Sequence, residues 1–103
     1  MDQEFSLTSE LREGRLVIVT NGYVNNVGGE AIASEFGRHF ENGVKHVVIN
    51  LAGSKVVNSI GMSFLLEILE QLQDTEGKLV FDGGKGPGGF QPEKLKSWLA
   101  NNL

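Results

Sequence analysis

The sequence predicts an α/β domain, a single layer of mixed β-sheet packed by helices in the order β-β-α-β-α-β-(α). Three observations carry this. Arg15–Thr20 (RLVIVT) and Lys45–Leu51 (KHVVINL) are runs of strand length rich in β-branched residues. Two other segments place apolar residues three and four apart, at Ile32, Phe36 and Phe40 and then at Ile60, Phe64, Leu65, Ile68, Leu69 and Leu72. That spacing makes one apolar stripe along a helix. After the first two strands, runs and stripes alternate, which implies parallel strands joined by crossovers.

The elements follow in order. Phe5–Ser9 reads as a first strand, with Phe5, Leu7 and Ser9 alternating with Ser6 and Thr8. Arg12-Glu13-Gly14-Arg15 is a turn signal, so the first two strands are expected to form an antiparallel hairpin. Asn21-Gly22 ends the second strand, and Tyr23–Gly29 reads as irregular because Gly28 and Gly29 disfavour a helix start before them. Glu30–Glu41 is the first expected helix, stopped by Asn42-Gly43. Gly37 costs that helix about 1 kcal/mol relative to alanine unless a close contact requires it. Lys45–Leu51 is the central strand, and its run of Val47, Val48 and Ile49 with Leu51 reads as buried on both faces. Ser59–Asp74 is the second helix, ended by Gly77, and Lys78–Phe81 the last strand.

The C-terminal part differs. Residues 1–82 read as the domain, and 83–103 as a glycine-rich linker followed by a short helix at Glu93–Asn101, with Leu95, Trp98 and Leu99 on one face. GGKGPGG lacks the spacing of a phosphate-binding loop.

Composition narrows the function. A chain of 103 residues supports one compact core. It has no cysteine, which removes disulfide and thiol chemistry and suits the cytoplasm. The net charge of −4 without a basic run argues against nucleic acid as a partner. The acidic, polar N-terminus does not read as a signal peptide, and no apolar run reaches membrane-spanning length, so a cytoplasmic protein without direct membrane insertion is expected. His39 and His46 lack metal-ligand spacing. Ser54, Ser59 and Ser63 have no histidine nearby in sequence, so no catalytic residues, no metal and no cofactor are expected.

The candidate site is the loop between the central strand and the second helix, Asn58-Ser59-Ile60-Gly61. It lies at a strand's carboxyl end and a helix's amino end, where unpaired backbone N–H groups collect. Asn58 or Ser59 is a suitable N-cap, and Gly61 leaves the first turn open to a partner's backbone or an anion. Met62 and Leu66 lie beside the main stripe of the helix and extend the candidate partner surface if exposed. Gly22, Asn25 and Asn26 are candidates for the same edge of the sheet, where a nucleotide or small ligand would sit in an alternative, sensor reading. Either strand of the hairpin is a candidate sheet edge, and with it a homodimer contact.

From Leu16 to Phe81 the sequence resembles the STAS domain family, the fold of anti-sigma factor antagonists. The resemblance runs through LVIVTNG, EAIASEFGRHFENG, HVVINLAG, VVNSIG, GMSFLLEILEQLQ and GKLVF. Its most specific part is the loop, where the family pattern is Asp-Ser-[Ser/Thr]-Gly after an apolar pair. Here the pair is Val56-Val57, Asn58 stands in place of the aspartate, and Ser59 and Gly61 match. Ile60 replaces the serine or threonine that a partner kinase phosphorylates. The resemblance implies a bacterial regulatory domain that binds an anti-sigma factor or serine-kinase-like protein through Asn58–Gly61 and the following helix. It implies no phosphorylation at the usual position, with Ser59 as the alternative acceptor. It also admits a small subunit of a transport ATPase complex. Residues 83–103 would then be a reduced version of the family's C-terminus.

Overall fold

In the computed structural model, which describes residues 4–54 and 56–82, the sheet begins as a hairpin. Glu13 and Gly14 both take positive φ, 52° and 82°, a combination that matches the twist of paired strands in a two-residue turn. They join β1 (Ser6–Arg12) to β2 (Arg15–Asn21), paired antiparallel from Ser6↔Asn21 to Arg12↔Arg15. The chain then passes through α1 (Asn26–Phe40), β3 (His46–Gly53), α2 (Ser59–Asp74) and β4 (Lys78–Asp82). β2 pairs with β3 and β3 with β4 in parallel, giving a four-stranded mixed sheet in the order β1-β2-β3-β4. This is the expected order through β4. The expected linker and C-terminal helix lie outside the described residues.

Burial follows the two-residue period of each strand. Leu16 and Ile18 of β2, Val47, Ile49 and Leu51 of β3, and Leu79 and Phe81 of β4 point to the helices and are buried. They meet Ile32 and Phe36 of α1 and Leu65, Ile68 and Leu72 of α2 in one core. Full burial of each such side chain stabilises the fold by about 1.5–3 kcal/mol.

Several expectations are corrected. Among the described residues the central strand is covered by helices on one face, not two: Val48 and Asn50 alternate with the buried residues and are half-buried, because α1 and α2 both pack on the other side. β1 runs to Arg12 rather than ending at Ser9, since pairing with β2 continues to the turn even where its side chains are exposed. β2 is interior, so β1 alone of the hairpin is an edge.

The first helix starts at Asn26, not Glu30. Gly28 and Gly29 lie inside its first turns and are buried, and close packing is what requires them. A Cβ at Gly28 would come within 2.8 Å of the Phe5 ring, and one at Gly29 within 2.6 Å of the Phe64 ring and 3.1 Å of the Gly61 Cα. Gly37, by contrast, has nothing within 4 Å of its Cβ position, so no contact offsets its cost.

A polar cluster ties α1 to the edge strand. The Ser9 hydroxyl donates to the Glu35 carboxylate, which also takes a bond from Arg38 Nη2 at 2.7 Å and lies 3.3 Å from His39 Nε2. The Ser9 hydrogen bond, followed by those of Arg38 and His39, holds the Glu35 carboxyl below its ordinary range against the opposing effect of burial.

Candidate functional site

The residues at 58–61 lie where the backbones of two strand-to-helix loops are joined. Val24 N–H donates to the Val56 carbonyl, and Asn58 N–H donates to the Val24 carbonyl, both at 3.0 Å. These bonds form a parallel bridge between Val24 and Val57 beyond the ends of β2 and β3. Beneath it, the buried hydroxyls of Thr20 and Ser54 are 2.7 Å apart, and Gly22 N–H donates to the Gly53 carbonyl at 3.0 Å. The loop therefore leaves the sheet from a fixed base.

The cap of α2 is Asn58 rather than Ser59. Its backbone is extended (φ −85°, ψ 178°), and its side-chain oxygen accepts from Gly61 N–H at 2.8 Å. That satisfies one of the free donors of the first turn. Ser59 follows as the first helical residue. Its carbonyl accepts from the Ser63 hydroxyl at 2.9 Å, and its own hydroxyl makes no hydrogen bond among the described residues. Gly61 is buried, and a Cβ there would run into the Val24 carbonyl oxygen, inside the bridge. Gly61 is thus a packing requirement of the helix start, not an opening for a partner.

The start of α1 repeats this arrangement. Asn25 is its cap, extended at φ −110° and ψ −153°, and its side-chain oxygen accepts from Val27 N–H at 3.0 Å and Gly28 N–H at 3.2 Å. Asn25-Asn26-Val27-Gly28 and Asn58-Ser59-Ile60-Gly61 share a pattern: an asparagine cap, a polar residue, an exposed β-branched residue and a buried glycine. Val27 is 63% exposed and Ile60 53%. Tyr23 and Val56, adjacent to the bridge, are exposed as well. Four exposed apolar side chains therefore lie on the two strand-to-helix segments that the bridge joins, and neither helix carries an acidic residue in its first turn.

Among the expected partner residues, Asn58, Ser59 and Ile60 are at this surface. Met62 is not: at 2% exposure it belongs to the core, since it lies on the side of α2 that faces the sheet. Leu66 is half-buried against the core. Gly22, Asn25 and Asn26 do lie at this edge, but Gly22 N–H and the Asn25 side-chain oxygen are engaged in holding the two helix starts. Sequence reading missed Tyr23, Val27 and Val56; the repeated Asn-x-[Val/Ile]-Gly was the signal that would have found Val27. Among the described residues no group of three or more His, Asp or Glu side chains is placed to hold a metal. No helix among them is long and apolar enough to cross a membrane.

Comparison with known proteins supplies the context. The family model of the STAS domain matches residues 6–87. BtrV of Bordetella bronchiseptica, described as a candidate anti-sigma factor antagonist, is 28% identical over 74 residues, which cover 72% of this chain and 64% of that relative's length. Among solved structures, an anti-sigma factor antagonist from Mycobacterium paratuberculosis superposes with a TM-score of 0.70 at 20% identity, covering 99% of this chain and 87% of the other. The phosphorylated form of the Bacillus cell fate determinant SpoIIAA does so with a TM-score of 0.65 at 18% identity, covering 95% and 85%. These structural likenesses establish the β-β-α-β-α-β fold.

Proposed function

The chain belongs to the STAS domain family, and we propose that within it this protein is a regulatory docking domain similar to anti-sigma factor antagonists. The partner is a cytoplasmic anti-sigma factor or serine-kinase-like protein. It docks on the amino end of α2, at Asn58, Ser59 and Ile60, with Tyr23, Val27 and Val56 completing the apolar contact.

One observation carries this reading. Ile60 stands where the family pattern has a phosphate acceptor, and its side chain is 53% exposed rather than drawn into the core. An isoleucine has no hydroxyl to modify, and burying it in a partner is favourable at about 25 cal/mol per Å² of apolar surface. Docking is therefore constitutive at this position or controlled on the partner's side. A phosphate in the same place would add a doubly charged, strongly hydrated group to an apolar contact and would oppose docking.

The test uses the anti-sigma kinase from the same genome, purified with ATP, and follows both binding and intact mass. Wild type is expected to bind and keep its mass. Ile60→Asp is expected to lose binding while remaining folded. Ile60→Ser is expected to bind and then to be phosphorylated and released. Phosphate on Ser59 of the wild type would overturn the constitutive reading. Unchanged binding by Ile60→Asp and Val27→Asp would overturn the surface itself.

A further inference from the structure

The face of the sheet turned away from α1 and α2 carries a feature invisible in the linear sequence. The pairings Arg12↔Arg15, Arg15↔His46 and His46↔Lys78 place four basic residues in one row across all four strands. Directly paired residues point to the same side of a sheet, and these alternate with the core residues Leu16, Val47 and Leu79, so the row lies on the face away from the helices. Two steps along the strands, Val17↔Val48↔Val80 forms a second, apolar row on the same face and in register with the first. Val80 is 40% exposed, and Val17 and Val48 are half-buried. Between the rows is a shallow cavity of about 150 Å³ lined by Arg15, His46, Val48, Lys78 and Val80 with Val47 beneath.

This arrangement works against the stability of the sheet. Like charges directly opposite each other on paired strands are destabilising, and Arg12 faces Arg15. The chain's own acids compensate at one end only: Glu10 lies 2.6 Å from Arg12 and Glu13 lies 3.6 Å from Arg15. Among the described residues, no carboxylate pairs with His46 or Lys78. In a protein of net charge −4, a basic row beside an apolar row is a surface with its complement missing.

We propose that this face is a second docking surface, and that its occupant is an acidic amphipathic helix of a partner protein lying across the strands. The spacing matches. Strands are about 4.8 Å apart, close to the roughly 5–6 Å between side chains three or four residues apart on a helix. A helix crossing the sheet sets one acidic stripe along the basic row and one apolar stripe along the valines. This is helix recognition by a grooved apolar surface with a charged rim. The chain's own C-terminal segment has the wrong sign, carrying Lys94 and Lys96 against a single Glu93. A second copy would have to offer its acidic α2 stripe, Glu67, Glu70 and Asp74, from the opposite side of the molecule, and such a head-to-tail contact builds a ring or a filament rather than a two-fold dimer. The surface lies at the other end and the other face of the sheet from the amino ends of α1 and α2, so it stands independently of the docking reading above.

The test is an NMR titration of the full chain with a designed helical peptide carrying glutamates at i, i+4 and i+7 beside a leucine stripe. The control is a peptide of the same composition with the glutamates scattered. The striped peptide is expected to shift the amides of Arg15–Val19, His46–Asn50 and Lys78–Val80, to bind less tightly as salt is added, and to leave the helix amino ends unshifted. Arg15→Glu with Lys78→Glu, checked for folding by circular dichroism, is expected to weaken binding by about tenfold or more. Absence of binding, equal binding of the scattered peptide, or shifts confined to the helix amino ends would overturn the proposal. So would concentration-dependent self-association of the wild type that the double variant abolishes, which would make a second copy the occupant.

Discussion

The two helices of this domain start alike and are held differently. Each begins on an asparagine cap, a polar residue, an exposed branched residue and a glycine, and the two starts share the Val24–Val57 bridge. Their glycines meet different neighbours. The space beside Gly28 is bounded first by the Phe5 ring and then by the Tyr23 carbonyl at 3.1 Å, whereas the space beside Gly61 is bounded first by the Val24 backbone. Behind these starts the contrast continues. α2 buries six residues, Gly61, Met62, Leu65, Ile68, Leu69 and Leu72. α1 buries four, two of them glycines, and adds the Ser9–Glu35 clasp to the edge strand. One helix is held by apolar area, the other by close approach and a polar tie. The start whose glycine is bounded by backbone is the one that carries Ile60.

The glycines give the sharpest way to break the comparison. Gly61→Ala forces a methyl group against a backbone carbonyl and should destabilise the fold by about 3 kcal/mol, the upper range for overpacking a tight site. Gly28→Ala should cost less, about 1–2 kcal/mol, because its nearest neighbour is a side chain rather than backbone. Urea denaturation of both variants reads the difference, and equal losses would show both helix starts to be equally rigid. Next are the caps: Asn58→Ala and Asn25→Ala should each lose about 1 kcal/mol, measurable in the same way. A clear excess for Asn25, which accepts two bonds to one for Asn58, would make the start of α1 the more cap-dependent. Gly37→Ala should move the other way and raise stability by about 0.5–1 kcal/mol, since its Cβ meets open space within a helix.

The smallest effect concerns pH. Folding lowers the Glu35 pKa, chiefly through the Ser9 hydroxyl. The folded state therefore binds the proton less well than the unfolded chain. This contribution is fully present above the ordinary glutamate value of about 4.3 and is lost as pH falls through the lower folded value. Thermal melts of wild type and Glu35→Gln should therefore differ at neutral pH and converge in acid. A constant difference across that range would remove Glu35 from the account of how α1 is tied.

Much of this was legible in the chain. Branched runs of strand length, two stripes of period 3.6 and the Glu13-Gly14 turn specify six elements in their observed order, because backbone preference and one-sided burial are local properties. The resemblance at Val56–Gly61 pointed to the candidate site, and Ile60 was recognisable there as a residue without a hydroxyl. What the chain could not reveal depends on distance between residues remote in sequence. Gly28 and Gly29 read as helix breakers until Phe5, Phe64 and Gly61 are seen against them. Ile60 read as the start of the apolar stripe and Met62 as lying beside it, yet Ile60 is at the surface and Met62 in the core, a matter of where the sheet lies beneath α2. The central strand read as buried on both faces, because an unbroken apolar run does not say how many layers cover it. Most of all, Arg12, Arg15, His46 and Lys78 are scattered along the chain and showed no basic cluster, and only strand register aligns them. The sequence alone determined the elements and the identity of the proposed docking residue. Tertiary structure decided which surfaces those elements leave exposed, because exposure and charge alignment are set by pairing and packing between distant segments.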